Sequence, residues 1–288
     1  MEQSETLSSP LDWFNQREDV RRSRFKGIWE HSVPEVFRDV PTYYRLGNIV
    51  ASFGIWELWV WQFVRSIRLK PGDRVLDVAA GTNDVGIRLL KKEPGIHVTA
   101  VDRSSEMQQE GQHRATRSHV QIESVIHDVH ALPFKDDTFD VVTLQAASRH
   151  LQLDKVFPEI YRVLKPGGVF YHCDMLKPAH HTVERFYLGF LRLSVAWTAS
   201  VFGSSEASRN CGSYFSDAIH HFYTPEELSA VLGLCGFSDV RCAKSVWGGM
   251  VGFHAARKPV SNTVPGPQEL AACPPSEHAL EAVEQTAP

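Results

Sequence analysis

Arg74-Val-Leu-Asp77-Val-Ala79-Ala-Gly81-Thr-Asn83-Asp-Val-Gly-Ile-Arg-Leu-Leu90 decides how this chain folds. Its first five residues, with Val75, Leu76 and Val78, read as a buried strand. The next four are small, and an amphipathic helical pattern follows. A buried strand, a tight turn and a helix start in that order are how an α/β sheet builds a nucleotide site. A dinucleotide loop would place glycines in the pattern G-x-G-x-x-G, because a pyrophosphate needs close backbone approach. Here Ala79, Ala80 and Asn83 stand at those positions. Side chains there suit an adenosine ligand without phosphates, and S-adenosyl-L-methionine is such a ligand.

Reading outward, strand patterns fit Arg74–Val78, His97–Val101, Val120–Ile126, Phe139–Leu144 and Val169–Cys173, with helical stretches between most of them. That alternation predicts an α/β fold: a doubly wound, mostly parallel, seven-stranded sheet with helices on both faces. Two β-rich runs, Val240 to Trp247 and Met250 to Ala255, are expected as an antiparallel edge. Between them and the fifth strand, Thr224-Pro-Glu-Glu227 reads as a capping box opening a helix. Residues 1–35 form an N-terminal helical arm, with Ser9-Pro10 as its start signal. Its aromatics, Trp13, Phe14, Phe25 and Trp29, are expected to dock, either on the domain or in a homo-oligomer. Residues 36–258 make the main domain. The Pro-, Ser-, Ala- and Glu-rich stretch 259–288 lacks the periodicity of a packed segment and is expected to be disordered.

Composition narrows the class. Apolar residues make up 43% and charged residues 22%, with a formal net charge of −4. That profile suits an enzyme and argues against a nucleic-acid partner. Five cysteines without framework spacing suggest reduced thiols and a cytoplasmic location. The apolar stretch Phe186–Phe202 carries Arg192 and is too short for a bilayer, so no integral membrane segment is expected. The 14 histidines show no metal-ligand spacing, and solvated or capping roles are the expectation.

Asp102 ends the second strand, 21 residues after Gly81. An acid there can accept hydrogen bonds from both ribose hydroxyls, or it can cap the helix beginning near Ser104. Asp128, after the third strand, can take an adenine amino group. Leu132-Pro-Phe134 and Lys165-Pro-Gly-Gly168 read as scaffold.

Four stretches carry a resemblance: Tyr44-x-x-x-Asn48-x-x-x-Ser52-Phe-Gly54, Leu76-Asp-Val-Ala-Ala-Gly-Thr82, Ala131-Leu-Pro-Phe134 and Arg162-Val-Leu-Lys-Pro-Gly-Gly168. Together, residues 36 to 257 resemble the ubiquinone/menaquinone C-methyltransferase family, within the class I AdoMet-dependent methyltransferases. The resemblance implies cofactor contacts for Tyr44, Asp77, Gly81, Asp102, Asp128 and Val129. Ala79, Asn83, Arg103 and Gln145 complete the expected cofactor set. Two departures from the family pattern stand out. Asn83 replaces a glycine, where its tolerance of left-handed backbone would preserve the turn and its amide could reach the cofactor's methionine end. His150, in Ser148-Arg-His150, replaces an asparagine.

The expected acceptor is small and apolar, a prenylated quinol or related isoprenoid methylated at carbon. The alternative is a terpenoid or prenylated indole-like natural product; a non-catalytic AdoMet-binding module or a nicotinamide dehydrogenase has weaker support. Arg149, Phe186, Phe190, Tyr214 and Phe222 are the expected substrate pocket, with core packing as the competing role for the aromatics. His150 is the candidate general base, its rival role being a neutral hydrogen-bonding wall.

Overall fold

The computed structural model describes residues 9–202, 206–245 and 250–260. The chain opens with α1 (Pro10–Gly27), a π-turn (Ile28–Ser32), α2 (Val33–Asp39), α3 (Tyr44–Ala51) and α4 (Ile55–Ser66). Strands and helices then alternate: β1 (Arg74–Val78), α5 (Asp84–Lys92), β2 (His97–Asp102), α6 (Ser105–Arg117) and β3 (Glu123–Ile126). The alternation ends with β4 (Phe139–Gln145), α7 (Leu153–Val163) and β5 (Leu164–Met175). After β5 come α8 (His181–Val201), α9 (Glu206–His220), α10 (Pro225–Leu234), β6 (Ser238–Ser245) and β7 (Val251–Arg257).

The seven strands form one sheet in the order β3-β2-β1-β4-β5-β7-β6. The first five pair in parallel, and β7 runs antiparallel to both β5 and β6. β1 lies between β2 and β4, which is why it reads as a nearly unbroken apolar run. Its alternating side chains feed both faces: Leu76 and Val78 join one core with Phe157 and Phe170, and Val75 joins the other with Phe63 and Leu89. The strand order reverses between β1 and β4, and the crevice at their carboxyl ends is where such sheets bind ligands.

The largest departures from the expected strand bounds are at the starts of β3 and β5. β3 begins at Glu123 rather than Val120, because its ladder with β2 starts at Thr99 and Glu123, while Val120 and Ile122 pack into the core ahead of it. β5 begins five residues earlier, at Leu164, so the Lys-Pro-Gly-Gly motif enters the strand instead of preceding it. The link between the last two strands and the tail after residue 260 lie outside the described residues.

The N-terminal arm packs on its own chain. Ser9 caps α1 by accepting the Asp12 N–H at 3.2 Å. Phe14 joins the main core, and Phe25 and Trp29 pack with Tyr214 and Ala218 of α9. Each such buried ring contributes about 1.5–3 kcal/mol. Those three rings are covered within the chain. Between them lies a buried ion pair, Arg21 with Glu18. Arg21 Nη2 also donates to the carbonyls of Arg149 (3.1 Å) and Leu151 (3.2 Å), and so ties α1 to the turn after β4.

Candidate active site

At the carboxyl ends of β1, β2 and β4 a polar cleft of about 270 Å³ opens. The loop after β1 forms its floor. Ala79 (φ 52°), Gly81 (φ 53°) and Asn83 (φ 58°) all take left-handed backbone, so the turn closes as a glycine-rich one would. Asp102 stands at the tip of β2, where Oδ2 accepts the Gly81 N–H at 2.8 Å and Oδ1 accepts the Ser104 N–H at 2.9 Å. Each oxygen keeps a lone pair for a hydroxyl. Burial raises the Asp102 pKa, against the pull of the two backbone N–H groups. The helix-cap alternative goes to Ser104, whose side chain accepts from Met107 N. Asp128 and Val129 form the far wall with His130, whose backbone N–H and ring Nδ1 meet Asp128 Oδ1 at 2.9 and 2.5 Å. Arg103, Gln145, Ala79 and Tyr44 complete the rim.

Asp77 is set back from this cleft, beside a smaller recess lined by Tyr44, Ala80, Gly81 and Gln145. Burial lifts its pKa to about 7, although the Thr143 hydroxyl and the Gly86 N–H hold it down. Carboxylates with free lone pairs at the ribose, adenine and amino-acid ends suit a nucleoside joined to a charged amino-acid tail. No cluster of phosphate-binding donors is needed to fill the loop. The residues present therefore fit S-adenosyl-L-methionine.

A second cavity, of about 680 Å³ and mostly apolar, adjoins the first. Its walls come from α2, α3, α4, α8 and α9. Phe37 and Tyr44 line both spaces and so form the seam between them. Arg149 is the charged side chain in the apolar wall. Its guanidinium pairs with buried Asp174, and its backbone N–H reaches the same carboxylate at 3.2 Å. Ser148 Oγ bridges Asp174 (2.6 Å) and His172 Nε2 (2.7 Å), and His254 continues this buried polar chain to the Pro225 carbonyl. The mouth is rimmed by exposed rings: Phe53 stacks with Trp197 and lies 6.0 Å from Phe190.

With this geometry in view, the comparisons with known proteins are direct. The model of the ubiE/COQ5 methyltransferase family matches residues 25–258. The chain belongs to the ubiE/COQ5 methyltransferase family. It is an S-adenosyl-L-methionine-dependent methyltransferase. The ubiquinone/menaquinone biosynthesis C-methyltransferase UbiE of Zymomonas mobilis is 31% identical over 79% of this chain and 93% of its own. A demethylmenaquinone methyltransferase of Streptomyces avermitilis is 30% identical over 80% of this chain and 96% of its own. Among solved structures, phosphoethanolamine N-methyltransferase 2 of Haemonchus contortus, with S-adenosyl-L-methionine, superposes at a TM-score of 0.52. Its identity is 19% over 72% of this chain and 53% of that one, a likeness of fold.

Within this methyltransferase the expected site residues separate into groups. Tyr44, Ala79, Gly81, Asp102, Arg103, Asp128, Val129 and Gln145 come together at the cofactor cleft, and Arg149, Phe186 and Phe190 line the acceptor cavity. Asn83 does not face the cleft. Its Oδ1 accepts from Gln108 Nε2 at 2.9 Å, and the side chain packs against Gly111, where a Cβ would approach within 2.7 Å. The αL turn survives as expected, but the amide oxygen is engaged by α6, and the amide nitrogen is buried with no partner among the described residues. Phe222 is a core residue under the Arg21 guanidinium, 4.9 Å from its ring centre, and not a pocket wall. Tyr214 lies behind His150, its hydroxyl 2.6 Å from Nδ1, and so backs the site without lining the cavity.

Buried His172 and His254 are neither solvated nor capping residues; they are members of the polar chain behind Arg149. His150 itself lies in the cleft wall, wholly buried. Burial, then the cations Arg149, Arg21 and Arg103, hold its pKa well below 6.5. Sequence reasoning missed Phe37, the seam residue. Its signal was an apolar residue in helical register just past the arm boundary, indistinguishable in sequence from ordinary packing. Among the described residues no cluster of His, Cys, Asp and Glu could hold a metal, and no helix is long and apolar enough to cross a membrane.

Proposed function

We propose that the protein methylates a ring carbon of a prenylated hydroquinone. The observation that carries this reading is the junction at Phe37 and Tyr44 between a polar cofactor cleft and a larger apolar cavity. Relatives named as ubiquinone/menaquinone and demethylmenaquinone methyltransferases support it. S-adenosyl-L-methionine supplies an electrophilic methyl group on a sulfonium. Held in the cleft, it would supply that methyl to the ring carbon's electron pair, with the C–S bonding pair left on sulfur and the ring proton lost to bulk solvent after transfer.

For this chain's residues the work is alignment and exclusion of water. Asp102 and Asp128 hold the nucleoside, Phe37 and Tyr44 close the seam, and the α3/α8 wall takes the prenyl chain. Arg149 places positive charge beside the quinol head, where negative charge grows as the ring becomes nucleophilic. A terpenoid or prenylated indole acceptor is the second reading. It is favoured by a largely apolar cavity wall whose charged side chain is Arg149, so that the chain contributes more to recognition than the head. The reduced cysteines, none of which forms a disulfide among the described residues, support a cytoplasmic setting.

The deciding assay supplies methyl-labelled S-adenosyl-L-methionine with a demethylated prenyl hydroquinone, and then with a prenylated indole. Label on a ring carbon of the quinol is the expected result. Label on oxygen, or on the indole alone, rejects the proposal.

A further inference from the structure

Trp29 of the arm reaches the active site through two hydrogen bonds. Its Nε1–H donates to the Tyr214 hydroxyl oxygen at 3.0 Å, and that hydroxyl lies 2.6 Å from His150 Nδ1. An indole nitrogen is a donor only, so Tyr214 must accept from Trp29. The hydroxyl's own proton is then paired in this buried setting by donation to His150 Nδ1, its other close partner. That nitrogen is an acceptor and carries no hydrogen. In a neutral imidazole the proton must therefore sit on Nε2. A doubly protonated ring would set an N–H against the hydroxyl's hydrogen and leave that hydrogen unpaired. It would also add a cation beside Arg149, Arg21 and Arg103, and the ring's depressed pKa follows from the same surroundings.

Nε2 is buried and has no partner among the described residues. The His150 ring packs against Phe37 (6.4 Å) and Phe215 (5.4 Å), and both rings also line the acceptor cavity. The orphan donor thus sits at the seam between the two spaces. We infer that His150 acts as a fixed hydrogen-bond donor from Nε2 to an oxygen of the methyl acceptor, and that Trp29 and Tyr214 are the positioning residues that set its tautomer. His150 is then no general base, since its one unpartnered nitrogen already holds a proton. Its N–H instead stabilises the charge that develops on the acceptor's oxygen. This rests on the proposed acceptor class only for the identity of that oxygen.

The test uses full-length protein with ¹⁵N-labelled histidine and long-range proton–nitrogen NMR. The His150 signals are assigned by their loss in His150→Asn. The expected signature is the neutral Nε2–H tautomer throughout about pH 6–8. Tyr214→Phe should convert it to a mixture of tautomers, and Trp29→Phe should shift it in the same direction. An Nδ1–H tautomer, or protonation within that range, overturns the inference.

In turnover assays His150→Ala should lose roughly 10-fold, the scale of one hydrogen bond. His150→Asn, whose amide is again a donor, should recover most of that loss. A base would instead cost about 10²–10⁴-fold, with no rescue by asparagine. Weaker S-adenosyl-L-methionine binding in His150→Ala would assign the donor to the cofactor and also refute the inference. If the wild-type protein methylates no quinol, the proposed function fails while the NMR result still decides the tautomer.

Discussion

Replacing Arg21 by methionine should destabilise the protein and slow it at once, because Arg21 joins the N-terminal arm to the active-site turn. The guanidinium is fully buried, pairs with Glu18 and stacks over Phe222, Trp29 and Tyr223. Methionine keeps much of the apolar stem but strands the Glu18 carboxylate away from water. Breaking a buried pair in this way costs about 3–5 kcal/mol. Glu18 still accepts from the Tyr223 hydroxyl at 2.7 Å and from Leu153 N at 2.8 Å, so the lower end of that range applies. At roughly 2–4 °C per kcal/mol for a chain of this size, Tm should fall by about 6–12 °C.

Glu18→Gln added to Arg21→Met removes the stranded charge and should recover about half of the loss. The carbonyls of Arg149 and Leu151 also lose their donor, so kcat should fall in the single mutant even below its transition. Differential scanning calorimetry and initial rates measure both effects. If Arg21→Met melts within about a degree of wild type, or if the double mutant is less stable than the single, the ion pair does not organise the arm.

Asp102→Ala should weaken S-adenosyl-L-methionine binding by about 1.5–3 kcal/mol in calorimetric titration, the scale of lost hydrogen bonds to a charged group. An unchanged affinity would reduce Asp102 to a brace for Gly81 and Ser104. Phe222→Ala should cost about 3–5 kcal/mol of stability by urea unfolding, whereas exposed Phe190→Ala should raise the acceptor's KM with little change in stability; the reverse pattern would return Phe222 to the pocket. Asp77 has a folded pKa of about 7 against 3.8 for the free side chain. Between those values the folded state holds a proton that the unfolded state has released, so this group's effect is to lower stability as pH rises from about 4 to about 7. Asp77→Asn should therefore be more stable than wild type at about pH 7.5, with the gap closing toward about pH 5. Urea midpoints at the two pH values test this, and a gap that does not narrow would refute it.

Much of the fold was legible because it rests on local periodicity. β1 came out with its observed bounds since a central parallel strand must be apolar on both faces. The capping box at Thr224 and the cap at Ser9 were readable because their partners lie three residues away. Asp102 was legible for a similar reason: strand ends on one edge of a parallel sheet converge, so counting from Gly81 places the acid. β3 was overextended because Val120 and Ile122 are apolar and packed like strand residues yet stand outside the ladder, which starts at Glu123.

By itself the sequence determined the sheet, the left-handed turn at Asn83 and the cofactor cleft, all consequences of short-range pattern and backbone sterics. Only the tertiary structure decided where side chains of equal composition point. Asn83 turns to Gln108, Phe222 lies under Arg21, Phe37 closes the seam, and Trp29 reaches Tyr214 across 185 residues of chain. Aromatic and amide side chains have the same local propensities in a core as in a pocket. Their roles follow from which distant helix covers them, and that is a property of packing alone.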